Sequence, residues 1–435
     1  MSAHYQGNHY PVAIIGGGQA GLSMSSSLKQ RGIRHIIFEK HKAAHTWRTE
    51  RWDTFCLVTP NWQCQLPGYP YRGDDPDGFM VRDEIIEYVQ GFVKALDPPI
   101  REGVAVNGVR GTADGGFTID TSYGRYTADQ VVVATGGYQI PIVPPYAKNI
   151  DANVLQIHSS LYRSSEQLPD GAVLVVGSGQ SGAQIAEDLH LAGRKVHLCV
   201  GDAPRVARRY RGKDVVKWLA EMGYYEMSVK EHPLRQGVRD NTNHYVTGRD
   251  GGRDIDLRKF AREGMELYGK LLGLNDDKFL VAEDLEQCLD NADKTSESIK
   301  NSIDAFITKN AIQAPVEPRY NPLWVPKAER SELDYRAAGI TSIIWCIGFR
   351  ADFSWIKLPA MDNRGAPVHD RGVTGVPGLY FLGLPWLHTW GSGRFSGIAR
   401  DAEHLGGEIA AHADNPRKAN PLCDALLGGN QASAA

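Results

Sequence analysis

The sequence is poor in paired cysteine, in long apolar runs and in net charge. Six cysteines stand at positions 56, 64, 199, 288, 346 and 423 of 435 residues, and none forms a CxxC pair. Neither a zinc ribbon nor a close dithiol relay is therefore written in the chain. Cys56 and Cys64 are the nearest pair, wider than the spacing usual for a catalytic dithiol. Scattered thiols fit a reducing, cytoplasmic compartment. The longest apolar runs, such as Val131-Val132-Val133-Ala134, are far short of the roughly 20 residues a membrane helix needs. The start of the chain has no basic segment followed by a cleavable apolar stretch. No membrane association is expected. A net charge of −3 offers no bulk attraction to nucleic acid. HExxH, Walker A and GxSxG motifs are also missing, which leaves zinc protease, NTPase and α/β-hydrolase chemistry without support. No metal site is expected. Asp75, Asp77, Gly78 and Glu84 match part of a calcium loop, but Gly73 holds its first position and no helix leads into it.

What the chain has is apolar content, glycine and a repeat. A hydrophobic fraction of 42% and a charged fraction of 23% are enough for several cores. At about 150 residues per domain the length predicts two or three domains. The 47 glycines and 23 prolines are scattered, as tight turns and close backbone contacts would have them.

Residues 10–16 read as a buried strand ended by glycine, 18–31 as a helix stopped at Gly32, and 34–39 as a second strand. This is a βαβ unit. Its turn is Gly16-Gly17-Gly18-Gln19-Ala20-Gly21. The first glycine permits the turn, the second lets a pyrophosphate reach the backbone, and the third lets the helix pack on the strand. The helix N-terminus presents unpaired N–H groups to the phosphates. Glu39, 23 residues after Gly16, stands where a carboxylate accepts hydrogen bonds from an adenosine ribose. Lys40 follows it.

The pattern returns at Gly177-Ser178-Gly179-Gln180-Ser181-Gly182, an offset of 161 residues. Strand 172–177, helix 181–192 and strand 195–200 surround it. Asp202 is the acid candidate here, but Arg205, Arg208, Arg209, Arg211 and Lys213 crowd in just after. Arginine forks suit a 2′-phosphate, so Arg205, Arg208 and Arg209 are expected to favour NADPH over NADH. Two such units imply two dinucleotides, one a tightly held flavin and the other a diffusing nicotinamide. The expected fold class is α/β with two Rossmann-like dinucleotide-binding domains. Residues 1–165 and 325–435 would form the FAD-binding domain. Residues 166–324 would be inserted as the NADPH-binding domain, with helical additions around 255–310, and 205–305 reads as polar and mainly helical. Further buried strands are read at 130–137, within 341–349 and at 378–383, an amphipathic helix at 82–96, and a last helix from near Gly393.

These motifs resemble the class B flavoprotein monooxygenases, the group of flavin-containing monooxygenases, N-hydroxylases and Baeyer–Villiger enzymes. The resemblance rests on both fingerprints, on Ala134-Thr135-Gly136, and on Ile344-Trp345-Cys346-Ile347-Gly348-Phe349. His158-Ser159-Ser160-Leu161-Tyr162-Arg163 matches the second half of that family's linker signature, and Ala152 and Val154 depart from the first half. Tyr162 in place of tryptophan speaks for a heteroatom oxygenase over a Baeyer–Villiger enzyme. The stretch from Gly383 to Gly397 resembles a little-characterised bacterial branch whose members often accompany nitrilase-type genes.

The resemblance implies hydride transfer from NADPH to FAD, oxygen addition to give a C4a-hydroperoxyflavin, and passage of one oxygen to a small nitrogen or sulfur nucleophile. The partners would be that substrate and O2, and a homodimer is compatible with the reading. Thr135 and Gly136 would contact cofactor. Trp47 and Arg48 fall in the segment that returns to the flavin in this family. Asn61 occupies the place of an asparagine near C4a. The glycine-rich turn 391–397 would open the last helix with N–H groups facing reduced flavin. Arg394 within it joins Asn61 as the catalytic pair, and Gly383 and Phe395 join the flavin contacts. His158 reads as a holder of the linker. Trp386, His388, Thr389 and Trp390 form an aromatic loop before the last helix. The alternative is an NAD(P)H oxidase or dehydrogenase that shares every fingerprint and transfers no oxygen atom. A nucleotide-binding redox sensor is a further rival.

Overall fold

The computed structural model describes residues 7–241 and 243–414 of the chain. Two parallel sheets dominate it. The first runs, in spatial order, Ile100–Glu102, His35–Glu39, His9–Ile15, Gly124–Val133 and Leu379–Phe381, all parallel. Two short antiparallel strands, Val373–Thr374 and His369–Asp370, extend its edge, and a meander of Val106–Gly111 and Phe117–Thr121 joins Gly124–Val133. Strand order reverses beside His9–Ile15, so the crevice at the carboxyl ends of the strands opens there. The strand cores are Val, Ile and Phe on both faces. Val12, Ile14, Ile37, Val131 and Val132 have no exposure at all, as expected of a parallel sheet covered on both sides.

Helix Gln19–Gln30 crosses over the first sheet and packs on the last helix, Ile398–Asp414. Helix Arg82–Leu96 completes that layer through Ile85, Val89 and Phe92.

The second sheet has five parallel strands in the order Leu155–His158, Ile340–Trp345, Ala172–Val176, Val196–Cys199 and Glu266–Tyr268. Helix Gln180–Leu191 packs against it through Ala183, Ile185, Ala186 and Leu189. Ile340–Trp345 and Leu155–His158 pair inside this sheet. The expected outer segments 1–165 and 325–435 thus each give one strand to the unit predicted between them. The chain crosses between the units where Ile140–Pro141 pairs antiparallel with Phe349–Arg350.

The stretch 205–305 is less helical than expected. It holds helices Val215–Glu221, Leu257–Arg262 and most of Leu285–Lys309, but also strands Glu266–Tyr268, Leu271–Asn275 and Lys278–Val281. Its polarity includes buried ion pairs as well as solvated helix faces. Arg258, 2% exposed, pairs with Asp290 and Asp293. The last helix begins at Ile398 rather than near Gly393, and 391–397 is a turn. No described helix is long and apolar enough to cross a membrane. Cys423 lies outside the described residues.

Candidate functional site

Both fingerprints adopt the same strand–turn–helix geometry. Gly16 has φ +110°, and a Cβ there would lie 2.6 Å from Ala134 O. Gly177 has φ +99°, with Cys346 O at 2.8 Å from such a Cβ. A Cβ on Gly21 would sit 1.9 Å from Gly16 O, and one on Gly182 the same distance from Gly177 O. Each helix is therefore pressed onto its strand as the third glycine predicts. Helices Gln19–Gln30 and Gln180–Leu191 both start without a side-chain cap and without an acidic residue in the first turn. Their first N–H groups stay available to an anion. Around Gly18 a Cβ would meet nothing within 4 Å, which is the open approach a pyrophosphate needs.

The units part at the end of the second strand. Glu39, 9% exposed, accepts from Gly17 N at 2.6 Å and from His41 N at 2.7 Å. That carboxylate is fixed beside the turn with lone pairs to spare for a ribose diol. It also explains Gly17, since a Cβ there would lie 2.9 Å from Glu39 Cβ and 2.8 Å from Ile100 Cδ1. In the second unit Val200 holds the position of Glu39, and Ser178 that of Gly17. Ser178 Oγ accepts from Gly201 N at 3.0 Å. Asp202 turns away to Lys270 Nζ at 2.7 Å, its side chain 71% exposed. A ribose-reading carboxylate is thus built into the first turn and left out of the second.

The flavin-side residues expected from the sequence largely converge. Gln19 Nε2 donates to Gly393 O at 2.7 Å, and Trp47 Nε1 donates to Gln19 Oε1 at 2.9 Å. Trp47 stacks on Phe395 with centroids 5.3 Å apart. Gly383, φ +83°, abuts Ala20, where a Cβ would be 2.6 Å from Ala20 Cβ. Thr135 and Gly136 sit at the end of the central strand and both accept from Gln139 Nε2, at 3.1 and 2.8 Å. Lys40 and Arg48 are exposed at the rim. In the second turn, Gln180 Nε2 donates to Val246 O at 2.7 Å.

Several expected contacts are spent elsewhere. Arg205, 3% exposed, pairs through Nε with Asp293 at 2.5 Å and lies over the Tyr320 ring at 4.0 Å. Arg208, 1% exposed, donates to Val58 O and to Asp214, both at 2.7 Å. Both guanidiniums hold the fold together and are not offered to a 2′-phosphate. Arg209 is exposed and donates to Gly251 O at 3.2 Å. Asn61 is 4% exposed. Its Nδ2 donates to Asp75 O at 2.9 Å and its Oδ1 accepts from Met80 N at 2.7 Å. Its carboxamide organises loop 75–80 and is not presented to a flavin. The same loop takes up Asp75 and Asp77, and no metal-binding cluster occurs among the described residues.

Arg394 lies between the units. Its Nη2 donates to Asn243 Oδ1 at 2.9 Å and its Nη1 to Trp390 O, and the guanidinium lies 4.0 Å over the Trp390 ring. Arg51 is a half-buried arginine that the sequence did not single out. It donates to Glu50 O at 2.8 Å and lies over the rings of Trp47 and Phe55, at 5.0 and 5.5 Å. Burial lowers the pKa of both guanidiniums, and the Tyr138 hydroxyl acts on both in the opposite sense. Among the described residues neither has a carboxylate partner.

The turn holding Arg394 is fixed from behind. Asp401, 2% exposed, accepts from Ser392 Oγ at 2.5 Å, and Ser392 Oγ accepts from the N–H groups of His388 and Thr389 at 3.0 and 3.1 Å. Burial raises the Asp401 pKa. His158 holds the linker, with Nε2 3.0 Å from Gly348 O and Nδ1 3.0 Å from Ser160 Oγ. Asp188 joins three segments, accepting from Tyr162 at 2.7 Å, Thr54 at 2.6 Å and Arg249 at 2.8 Å. Asp188 joins residues 26, 61 and 134 positions away, and His158 one 190 positions away, so no local signal marks them. The described cysteines are all free. Desolvation pushes the Cys56 thiol up to about 11 and the Cys64 thiol up to about 12. Neither is poised as a thiolate relay.

Comparison with known proteins agrees with this geometry. The profile of the pyridine nucleotide-disulphide oxidoreductase family matches residues 13–247. An uncharacterised CzcO-like oxidoreductase of Geobacillus kaustophilus is 33% identical over 404 residues, covering 92% of this chain and 98% of the relative. A flavin monooxygenase variant from Stenotrophomonas maltophilia shares the fold with a TM-score of 0.64 and 18% identity, over 93% of this chain and 99% of that one. OTEMO, solved in complex with FAD and NADP, aligns with a TM-score of 0.55 and 16% identity, over 94% of this chain and 87% of that one.

Proposed function

The chain belongs to the pyridine nucleotide-disulphide oxidoreductase family, and from that membership we propose that it is an FAD- and NADPH-dependent monooxygenase acting on a small substrate. The observation that carries the reading is the asymmetry of two otherwise matching turns. The first has Glu39 fixed beside Gly17, suited to the ribose of an adenine dinucleotide held for good. The second has Val200 at that point and no carboxylate, and Ser178 in its turn accepts from Gly201 N. A phosphorylated ribose is repelled by an acid and tolerated by a hydroxyl. OTEMO, a neighbour in fold, binds this cofactor pair.

In this reading the unit built on the first sheet holds FAD. The free N–H groups at the start of helix Gln19–Gln30 take the pyrophosphate, and Glu39 accepts from the ribose. Trp47 and Phe395 wall the ring side. The start of helix Gln180–Leu191 takes the pyrophosphate of NADPH. FAD, when bound, supplies hydride acceptance and reaction with oxygen. The protein's share is to orient the two dinucleotides, to exclude water with the Trp386–Trp390 loop, and to position substrate beside Arg394. Free, protonated thiols support oxygen over a thiol pair as the electron acceptor. They also suit a cytoplasmic setting.

The purified protein should be yellow, retain FAD and oxidise NADPH. Amines, thioethers and ketones are then supplied in turn, and peroxide released per NADPH consumed is measured. A true substrate lowers that ratio and gains one oxygen in mass. Peroxide equal to NADPH across the panel would establish an NAD(P)H oxidase instead. A colourless protein that cannot be reconstituted with FAD would overturn both. The mass of the holoprotein on size exclusion reads whether it is a homodimer.

A further inference from the structure

We propose that the cavity between helix Ile398–Asp414 and the sheet edge at residues 369–374 binds a small organic monocarboxylate through Arg371, and that its occupancy is passed to turn 391–397 by Asp401 and Ser392. Binding stands on the cavity alone, and the second step rests on the reading that turn 391–397 faces FAD.

The cavity holds about 530 Å³, a size usual for small-molecule sites. One wall is the face of the last helix that carries His404, Glu408 and Ala411. The other is the sheet edge between Asp370 and Gly378, and Lys230 and His388 also line the space. No residue of either glycine turn does, so the cavity lies apart from both dinucleotide turns.

Arg371 is the cation left over in it. Lys230 is taken by Asp370 at 2.9 Å. Arg371 and Gly372 form the tight turn between strands His369–Asp370 and Val373–Thr374, with φ +46° and +88°. Asparagine or aspartate before glycine is the unstrained choice for such a turn, so the arginine is not there for the backbone. Its guanidinium makes no close bond. Asp401 Oδ1 is 3.6 Å from Nε, Arg400 O is 3.5 Å from Nη2, and the buried Nε has no hydrogen-bond partner. Arg205, Arg208 and Arg258, by contrast, each hold a carboxylate within 3 Å. The open donor fork of Arg371 matches a carboxylate. Glu408 on the facing wall has no cationic partner among the described residues. One spare cation opposite one spare acid selects a single negative charge over a phosphate dianion. The rings of His388 and His404 have no hydrogen-bond partner among the described residues. Burial and Arg371 lower the pKa of both, so each offers a neutral N–H donor. Val376, Pro377 and Ala411 supply the surface for an apolar body.

The cavity is wired to turn 391–397. Asp401, 2% exposed, stands between Arg371 and Ser392, whose Oγ donates to Asp401 Oδ2 at 2.5 Å and accepts from His388 N and Thr389 N. The next residue, Gly393, accepts from Gln19 of the first glycine turn. A carboxylate that draws the guanidinium off Asp401 leaves Ser392 as that carboxylate's nearest partner. The hydroxyl that anchors the turn thus feels the ligand, and by linkage FAD loading alters the ligand's affinity in return.

The test titrates hexanoate, hexanamide and inorganic phosphate into FAD-loaded and FAD-free protein by calorimetry, with the visible flavin band and the FAD dissociation constant as second readouts. Hexanoate should bind about 10-fold more tightly than the other two, the worth of a hydrogen bond to a charged group. Arg371→Asn suits the turn, so it should fold, and should weaken hexanoate about 10-fold while leaving hexanamide unchanged. His404→Leu should weaken hexanoate less, and serves if Arg371→Asn does not fold. Hexanoate should shift the flavin band and change the FAD dissociation constant, and Ser392→Ala should remove both effects while still binding hexanoate. Equal binding of acid and amide, tighter binding of phosphate, or hexanoate binding untouched by both cavity variants overturns the site. Binding through Arg371 with the flavin band and the FAD constant unmoved overturns the coupling. A protein that takes up no FAD overturns the monooxygenase reading instead, and calorimetry on it still decides the site.

Discussion

The two glycine turns are near copies in backbone and unlike in side chains at Gly17/Ser178, Ala20/Ser181 and the strand end Glu39/Val200. Both pinch the third glycine against the first, with 1.9 Å between a notional Cβ and the carbonyl. Both leave a helix start uncapped. Yet the first spends a carboxylate on its own turn, and the second spends a serine hydroxyl. The common part is what any pyrophosphate requires of a backbone. The differing part is what a ribose, plain or phosphorylated, requires of a side chain. One residue also constrains its neighbour. Glu39 forces glycine at position 17, while the second turn, free of an acid there, accepts Ser178.

The comparison breaks most severely at the third glycines. Gly21→Ala and Gly182→Ala each drive a methyl into a carbonyl, and each should cost upwards of about 3 kcal/mol. If the units are equivalent, thermal melts of the two variants will fall by similar amounts. Gly21→Ala should release FAD, and Gly182→Ala should keep FAD and lose NADPH. Gly18→Ala meets no protein atom within 4 Å, so it should fold normally and lose FAD, as absorbance after desalting will show.

Next in size is Arg208→Ala. It strips a buried ion pair with Asp214 and the bond to Val58 O, at a cost of about 3–5 kcal/mol. The melting temperature should drop sharply, with the NADPH Michaelis constant of the folded fraction changed less than twofold. A normal melt and a raised constant would return this arginine to the cofactor.

Smaller is the contrast between the acids. Glu39→Gln should raise the FAD dissociation constant about 10-fold, the worth of a hydrogen bond to a charged group. Asp202→Asn, removed from the turn by Lys270, should leave NADPH binding within about twofold. Fluorescence titration of FAD and of NADPH separates the two.

The smallest contrast is in acid. His197 of the second sheet is held at about 4 and His369 at the edge of the first at about 3, both by burial. Their folded pKa values are depressed, so the stability they confer is full above the ordinary value of 6.5 and is lost as pH falls toward those values. At most the shifts are worth about 3 kcal/mol for His197 and about 5 kcal/mol for His369. Asp401 runs the other way. Its pKa is raised, so its contribution is full below the ordinary carboxylate range and is lost as pH rises through the raised value. Denaturant melts between pH 4 and pH 7 should fall on the acid side, and His197→Gln should flatten that slope for the second unit alone.

Much of the fold was readable because its signals are short-range. Apolar runs ended by glycine marked His9–Ile15 and Ala172–Val176, and the repeat of a six-residue turn marked two equivalent units. The arginines misled because their run in sequence looks like a phosphate site. Asp293, the partner of Arg205, lies 88 residues away, and Arg208 is shared between nearby Asp214 and Val58, 150 residues away. Asn61 misled likewise. Its position after a proline fits a flavin contact and a turn equally, and only the bonds to Asp75 and Met80 decide. Arg51 gave no signal, since an arginine after a glutamate reads as surface.

The sequence alone determined that two dinucleotide turns exist, where each begins, and that no close dithiol pair accompanies them. Those follow from glycine sterics and residue spacing, which act over a few positions. Tertiary structure decided which sheet receives Ile340–Trp345, which arginines are spent on internal carboxylates, and that Arg394 reaches across to Asn243. Those depend on charges and strand edges brought together from distant parts of the chain, which no run of neighbouring residues encodes.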